Sequence, residues 1–133
     1  MSLEITEREI EGVAILDLKG RLVAGDEATN FREFIKSRAD KPYRAVVNLQ
    51  AVEFIDSTGL GALVVCYTTV KKAGGGLKLL NLKEREVELL ILTKLNTIFE
   101  IFDDEQDAVN SFYPGRELKK FDILTFIQSQ KKS

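Results

Sequence analysis

Two neighbouring segments near the start of the chain have the apolar patterns of β-strands. In residues 3–10, LEITEREI, Leu3 and Ile5 fall on the same side of an extended chain. Residues 13–22, VAILDLKGRL, resume the pattern directly after Gly12. Because strands joined by so short a turn pair antiparallel, the pattern predicts an opening β-hairpin.

The remaining sequence alternates between helical and extended patterns. Helical periodicity is found over 25–40, after Ser57, over 83–95 and over 103–113, and strand patterns lie over 43–50, 77–82 and 97–102. Strands separated by helices pair in parallel through crossover connections. We therefore expect an α/β fold with a mixed, mostly parallel sheet of about five strands and about four helices packed on it.

The end of the chain is predicted to form a separate tail. Pro114-Gly115 breaks the last helical pattern, so we expect one domain over 1–113 and a C-terminal tail over 114–133. Apolar residues recur in the tail at the spacing of an amphipathic helix: Leu118, Phe121, Leu124 and Ile127. The pattern leaves open whether this helix docks on its own domain or contacts a partner, a second copy of the chain or a membrane surface.

The composition removes several classes of function. The formal net charge is -2, which disfavours a nucleic-acid surface. The sequence has no histidine and therefore lacks the commonest general base and metal ligand. Cys66 is the only cysteine and lies in an apolar run, which favours a buried thiol. No apolar run reaches the roughly 18 residues of a membrane span, and the first residues lack the basic start of a signal peptide. We expect a cytoplasmic protein without a metal site of its own.

The stretch FIDSTGLGALV, residues 54–64, joins a strand pattern to a helical pattern and places a serine at the junction. Asp56 and Ser57 both suit a helix N-cap, where a side-chain oxygen accepts a hydrogen bond from a free backbone N–H. Ser57 could instead carry a phosphate, because a helix N-terminus accommodates negative charge. A phosphate there would repel a partner docked over the helix. Gly59 and Gly61 would let such a partner approach closely, or would serve internal packing.

A catalytic serine and a phosphorylated aspartate fit this stretch less well. A serine nucleophile needs a base. The sequence has no histidine and no lysine at a motif spacing from Ser57, and Ser57 does not lie in a G-x-S-x-G motif. Asp56 lies where receiver domains carry a phosphoaspartate. However, the acidic residues that would bind magnesium, Glu9, Glu11 and Asp17, are poorly placed for it, and the opening hairpin disfavours the receiver fold.

Three segments together resemble a known family. VVNLQAVEFIDSTGLGALV (46–64) resembles the signature of STAS domains of the anti-sigma-factor antagonists, in which a strand leads to Asp-Ser-[Ser/Thr/Ala]-Gly and an apolar helix. GVAILDLKGRL (12–22) is similar to the second strand of that family, and LTKLNTIFEIFDDEQDAV (92–109) is similar to its closing segment. The resemblance covers roughly residues 3–112 and implies a sheet with helices on one side.

The resemblance implies a binding function without catalysis and without a cofactor. It implies that the protein sequesters an anti-sigma factor, itself a serine kinase of the histidine-kinase-like ATPase fold, and so regulates transcription by partner switching in signal transduction. The kinase, which uses ATP and magnesium, would escape by phosphorylating Ser57, and a serine phosphatase would reset the switch. The partner-binding surface implied by the match consists of Arg21, Asp26, Asp56, Thr58, Gly59, Leu60 and Gly61.

The chain departs from the family pattern at a few positions. Val23 and Asn48 stand where the family often has aspartate, and Lys94 stands where it commonly has glycine. We expect the first two to lie near the docking surface and to affect which partner binds. An alternative function is a STAS scaffold subunit of a lipid-transport or sensory assembly, in which Ser57 is only a cap and the tail makes the contact. The tail could also join two copies of the chain in a homodimer.

Overall fold

Strands and helices follow one another in the order that the sequence predicts. The computed structural model describes residues 3–116, Ile123 and Ile127. The strands are β1 (Leu3–Ile10), β2 (Val13–Leu22), β3 (Arg44–Ile55), β4 (Gly76–Leu80) and β5 (Ile101–Phe102), and the helices are α1 (Asp26–Lys36), α2 (Ser57–Lys72), α3 (Glu84–Leu92) and α4 (Glu105–Asn110). Among these described residues, no helix is long and apolar enough to cross a membrane.

The strands form a five-stranded sheet in the order β1-β2-β3-β4-β5. β1 pairs antiparallel with β2, from Leu3 opposite Gly20 to Ile10 opposite Val13, which confirms the predicted hairpin. The pairs β2–β3, β3–β4 and β4–β5 are parallel. The predicted α/β fold, a mixed and mostly parallel sheet with four helices, is confirmed.

Helices cover both faces of the sheet. α1, α2 and α3 bury their apolar sides against one face, in what we call the main core. α4 packs Ala108 and Val109 against the opposite face, so the expectation of helices on one side is wrong for α4. Residues 13–16 of β2 and 45–47 of β3 are buried without interruption. Because successive strand residues point to opposite faces, both faces need a cover.

The closing segment differs from the strand predicted over 97–102. Leu95–Thr97 is a 3₁₀-helix, and β5 is limited to Ile101–Phe102. Phe99 turns inward, is only 3% exposed, and packs edge-on against Tyr67 with the ring centroids 5.3 Å apart. Burial of this ring requires a turn where a continuous strand was predicted.

β3 is longer than the strand predicted over 43–50, and its last part lacks a strand partner on one side. It pairs with β2 as far as Ile55 but with β4 only as far as Asn48. Lys83, the residue before α3, binds carbonyl groups along this part: its ammonium donates to the oxygens of Leu49, Gln50 and Val52 at 3.2, 3.0 and 2.7 Å. The lysine thereby supports the strand end that leads to Asp56.

The start of the predicted tail is held at the turn between β1 and β2. Arg116 donates hydrogen bonds to Glu11 at 2.8 Å and to Asn110 at 2.9 Å. Ile123 and Ile127 are helical, half-buried and packed against the main core. The other apolar positions of the predicted tail helix lie outside the described residues: Leu118, Phe121 and Leu124.

Candidate functional site

Asp56, at the carboxyl end of β3, is the N-cap of α2. Its backbone is extended, and its Oδ1 accepts a hydrogen bond from the backbone N–H of Gly59 at 2.7 Å. The carboxylate satisfies one of the N–H groups that the first turn of a helix leaves free. Ser57 is therefore not the cap. It is the first residue of α2, and it is exposed.

The second oxygen of the same carboxylate holds a different segment. Oδ2 of Asp56 accepts a hydrogen bond at 3.0 Å from the backbone N–H of Ala24, in the loop between β2 and α1. This bond is the largest of the effects that hold the pKa of the Asp56 carboxyl below its ordinary value; the bond from Gly59 and the positive charge of Arg21 act in the same direction. One ionised carboxylate therefore joins the β2–α1 loop to the start of α2.

Gly59 lies buried where α2 meets the end of β2. A Cβ atom at this position would lie 1.9 Å from the carbonyl oxygen of Leu22, so only glycine fits. A Cβ atom at Gly61 would meet nothing within 4 Å. Of the two explanations that the sequence left open for these glycines, internal packing accounts for Gly59, whereas Gly61 is exposed and open to a partner.

The predicted partner-binding residues divide into an inward-facing group and an exposed group. Gly59 and Leu60 are buried, and the Asp56 side chain is occupied by the two backbone N–H groups. The exposed residues, together with the candidate phosphoacceptor, are Arg21, Asp26, Ser57, Thr58 and Gly61. We call these five residues the docking face. The bond between Asp56 and Ala24 brings the two segments of this face side by side.

The acidic residues of the receiver alternative do not gather around Asp56. Glu11 lies at the β1–β2 turn, at the other end of β2, and binds Arg116 at 2.8 Å. Asp17 lies within β2 and binds Arg8 at 2.6 Å. With both of its oxygens bound to backbone N–H groups, Asp56 is a structural link, and the receiver interpretation is not supported.

Asn48, one of the departures from the family pattern, belongs to a polar network within the sheet. Its Nδ2 donates to Asp17 at 2.8 Å, and its Oδ1 accepts from Asn81 at 3.0 Å. An aspartate at position 48 would set two carboxylates against each other. Asn48 precedes Ile55 by roughly 23 Å of strand, so it lies away from the start of α2. Val23, the other such position, does lie in the β2–α1 loop.

Sequence reasoning missed an aromatic residue and a basic residue beside the docking face. Phe54 is the neighbour of Arg21 across β3 and β2, and the central guanidinium carbon of Arg21 lies 5.7 Å from the centroid of its ring. Arg85, in the first turn of α3, places its guanidinium carbon 5.9 Å from the same centroid. Nothing in the sequence connects Arg85 to Phe54, because a helix and a strand separate them along the chain.

Comparison with known proteins identifies the family. The family model described as the STAS domain matches residues 4–108. This chain belongs to the STAS domain family. A relative of this STAS domain, the anti-sigma-B factor antagonist of Bacillus subtilis strain 168, is 41% identical over 78 residues, which cover 59% of this chain and 72% of the relative. The resemblance to the anti-sigma-factor antagonists is thereby confirmed.

Solved structures share the STAS fold described above. An anti-sigma factor antagonist from Mycobacterium paratuberculosis has a TM-score of 0.69 at 24% identity, over 82% of this chain and 92% of that chain. The Bacillus cell fate determinant SpoIIAA in its phosphorylated form has a TM-score of 0.64 at 16% identity, over 82% of this chain and 99% of that chain. At these identities the likeness establishes the fold alone.

Proposed function

We propose that this STAS domain is a non-catalytic, phosphorylation-switched antagonist of an anti-sigma factor. It captures the anti-sigma factor while Ser57 is unmodified and releases it when Ser57 is phosphorylated. The observation that carries the proposal is the position of Ser57: it is exposed on the first turn of α2, beside a capping residue that leaves the serine hydroxyl unused for the cap. The antagonist relatives support the choice of partner.

The first turn of α2 suits a phosphate. It contains no acidic residue, so a negative charge there interacts favourably with the helix dipole and with backbone N–H groups. The fold can therefore carry the modification without opening. A phosphoserine nevertheless adds about two negative charges to the docking face. A docking partner would meet repulsion from these charges and would have to remove their hydration water, which costs free energy. A relative with the same fold, SpoIIAA, has been solved in a phosphorylated form, which agrees with such a switch.

The anti-sigma factor in this proposal is a serine kinase of the histidine-kinase-like ATPase fold. The kinase supplies ATP and magnesium, and the γ-phosphoryl group passes from ATP to Oγ of Ser57 while ADP leaves and the hydroxyl proton is lost to solvent or to the kinase. A serine phosphatase resets the switch by hydrolysing the phosphoserine. The output is the regulation of transcription, in the cytoplasm.

Phosphate transfer provides the first test. The full chain is incubated with the purified anti-sigma kinase of the same organism and magnesium-ATP, and the phosphorylated residue is located by mass spectrometry. We expect about one phosphate per chain in the wild type and in Thr58→Ala, which removes the neighbouring exposed hydroxyl, and none in Ser57→Ala. Stoichiometric phosphate on Ser57→Ala would defeat the assignment of the site.

Partner affinity provides the second test. Ser57→Asp places a carboxylate on the docking face, and Thr68→Asp places the same charge on an exposed position further along α2. We expect Ser57→Asp to keep the wild-type melting temperature and to lose the anti-sigma factor, and Thr68→Asp to bind normally. A folded Ser57→Asp variant with undiminished affinity would overturn the switch.

The scaffold alternative, in which residues 114–133 make the contact, is tested by truncation. A stop after Arg116 preserves the bonds of this residue to Glu11 and Asn110. Binding that survives this truncation supports the Ser57 switch. Binding that is lost, while the truncated protein remains folded, supports the tail as the contact with a partner or with a second copy of the chain.

A further inference from the structure

The ring of Phe54 holds two guanidinium groups that come from different elements. Arg21 extends from β2 and lies 5.7 Å from the ring centroid, whereas Arg85 extends from α3 and lies 5.9 Å from it. Phe54 itself is half-buried, two residues before Asp56. An arginine that lies over an aromatic ring is attracted by it and loses less freedom when it binds a further group.

Neither of these two arginines forms an ion pair within the described part of the chain. Among residues 3–116, no carboxylate oxygen lies within 4.0 Å of a guanidinium nitrogen of Arg21 or Arg85. Three other arginines in the same range do form such ion pairs: Arg8, Arg38 and Arg116. Arg21 and Arg85 are exposed, and no carboxylate of residues 3–116 occupies their guanidinium N–H groups. Each acts only at longer range on a carboxyl of the chain, Arg21 on Asp56 and Arg85 on Glu86.

A cleft opens beside Arg85, between the end of β3 and the first turns of α3. Its volume is about 310 Å³. The apolar part of its lining consists of Phe54, Ile55 and Leu89, and its charged part consists of Glu53, Lys83, Glu84, Arg85 and Glu86. The cleft adjoins the docking face at Phe54, which lines the cleft and is the neighbour of Arg21 across β3 and β2.

We propose that the docking face continues over Phe54 to Arg85 and that an acidic segment of the anti-sigma factor binds there, with its carboxylates on the guanidinium groups of Arg21 and Arg85. The carboxylates of Glu53 and Glu84 line the same cleft and oppose an acidic segment, so its binding depends on direct contact with the two guanidinium groups. This inference rests on the proposed function and specifies the chemistry of the partner.

An acidic segment at this place explains why a phosphate on Ser57 expels the partner. Arg21 is close enough to Asp56 for its charge to lower the pKa of that carboxyl, so it also lies near the start of α2. A phosphate on Ser57 therefore adds negative charge beside the carboxylates of the bound segment and competes with them for Arg21. Repulsion between like charges and loss of the Arg21 contact act together.

The test is a charge reversal with a matched control. Arg85→Glu is compared with Arg44→Glu, because Arg44 is also exposed, also lies over an aromatic ring (Tyr113, at 5.6 Å), and sits at the opposite end of β3. A glutamate is well tolerated in the first turn of α3, so Arg85→Glu should fold. The probe is the purified anti-sigma factor of the same organism with ADP in place of ATP, so that no phosphate is transferred.

We expect Arg85→Glu to weaken binding by at least about 10-fold and Arg44→Glu to change it by less than about 2-fold, at roughly 0.1 M salt. We also expect Arg85→Ala to lower the dependence of the affinity on salt concentration.

If Arg85→Glu binds like the wild type while Ser57→Asp does not, the acidic-segment inference is wrong and the switch stands. If Arg85→Glu loses binding while Ser57→Asp keeps it, the docking face is supported and the switch is wrong. If no variant alters binding, both are wrong.

Discussion

The carboxylate of Asp56 accepts a hydrogen bond from the backbone N–H of Ala24 at 3.0 Å. Ala24 belongs to the β2–α1 loop and Asp56 caps α2, so this bond crosses the docking face from one of its segments to the other. The position of Asp26 relative to Ser57 therefore depends on the Asp56 side chain as well as on the pairing of β2 with β3.

Asp56→Ala is expected to lower the free energy of unfolding by about 1–2 kcal/mol, because it removes a helix cap and the link to Ala24. Asp56→Asn keeps one acceptor oxygen and should cost less. Urea denaturation of the three proteins measures the difference. An alanine variant as stable as the wild type would show that the cap contributes nothing.

The stabilisation by Asp56 should also depend on pH. Its pKa in the folded protein is lowered from an ordinary value of 3.8, so its contribution is fully present above that value and is lost as the pH falls through the lowered pKa. We expect the stability difference between wild type and Asp56→Asn to stay constant above about pH 5 and to shrink between about pH 5 and about pH 2, because a protonated carboxyl resembles the amide. Thermal unfolding across this range measures it, and a difference that stayed constant would contradict the assignment.

Gly59 and Gly61 should respond in opposite ways to alanine. Gly59→Ala forces a methyl group against the Leu22 carbonyl and should cost about 1–3 kcal/mol of stability, or more if α2 must move. Gly61→Ala has open space and gains helix propensity, so it should be neutral or stabilising by up to about 1 kcal/mol. Melting temperatures compare the two variants, and equal values would contradict the close contact at Leu22.

Asn48→Asp should be destabilising at neutral pH by about 1–3 kcal/mol, because it places a second carboxylate where the amide of Asn48 donates to Asp17. Adding Asp17→Asn to this variant again places an amide donor opposite a carboxylate acceptor, now with the amide at position 17 and the carboxylate at position 48. The double variant should therefore be more stable than Asn48→Asp alone, although it loses the ion pair with Arg8. Urea denaturation of all four members of the cycle tests the pairing, and simple additivity would disprove it.

Lys83→Met should loosen the end of β3, because three carbonyl groups lose the ammonium that donates to them. We expect a cost of about 2 kcal/mol and faster hydrogen exchange over residues 49–56, with little change over the β1–β2 hairpin. Lys72→Met, at an exposed lysine in the last turn of α2, is the control. Unchanged exchange over residues 49–56 would show that Lys83 does not support the site.

The sequence by itself determined the elements whose signals are local. The opening hairpin is found with its predicted bounds, because alternation and the turn at Gly12 are properties of neighbouring residues. The start of α2 was likewise visible in Asp56-Ser57, since an N-cap acts within three residues. The motif around Ser57, together with the segments 12–22 and 92–109, indicated the family that the comparisons then established.

Only the tertiary structure decided the features that depend on contacts between segments far apart in the chain. Phe99 packs on Tyr67 instead of continuing β5, which is limited to Ile101–Phe102, and no local pattern records that contact. Asp56 joins Ala24 to α2, and Arg85 reaches Phe54, only after the parallel strands have placed their carboxyl ends at one edge of the sheet. Hydrophobic periodicity fixes which side of an element is buried, but which residues meet across the fold follows from sheet order and packing.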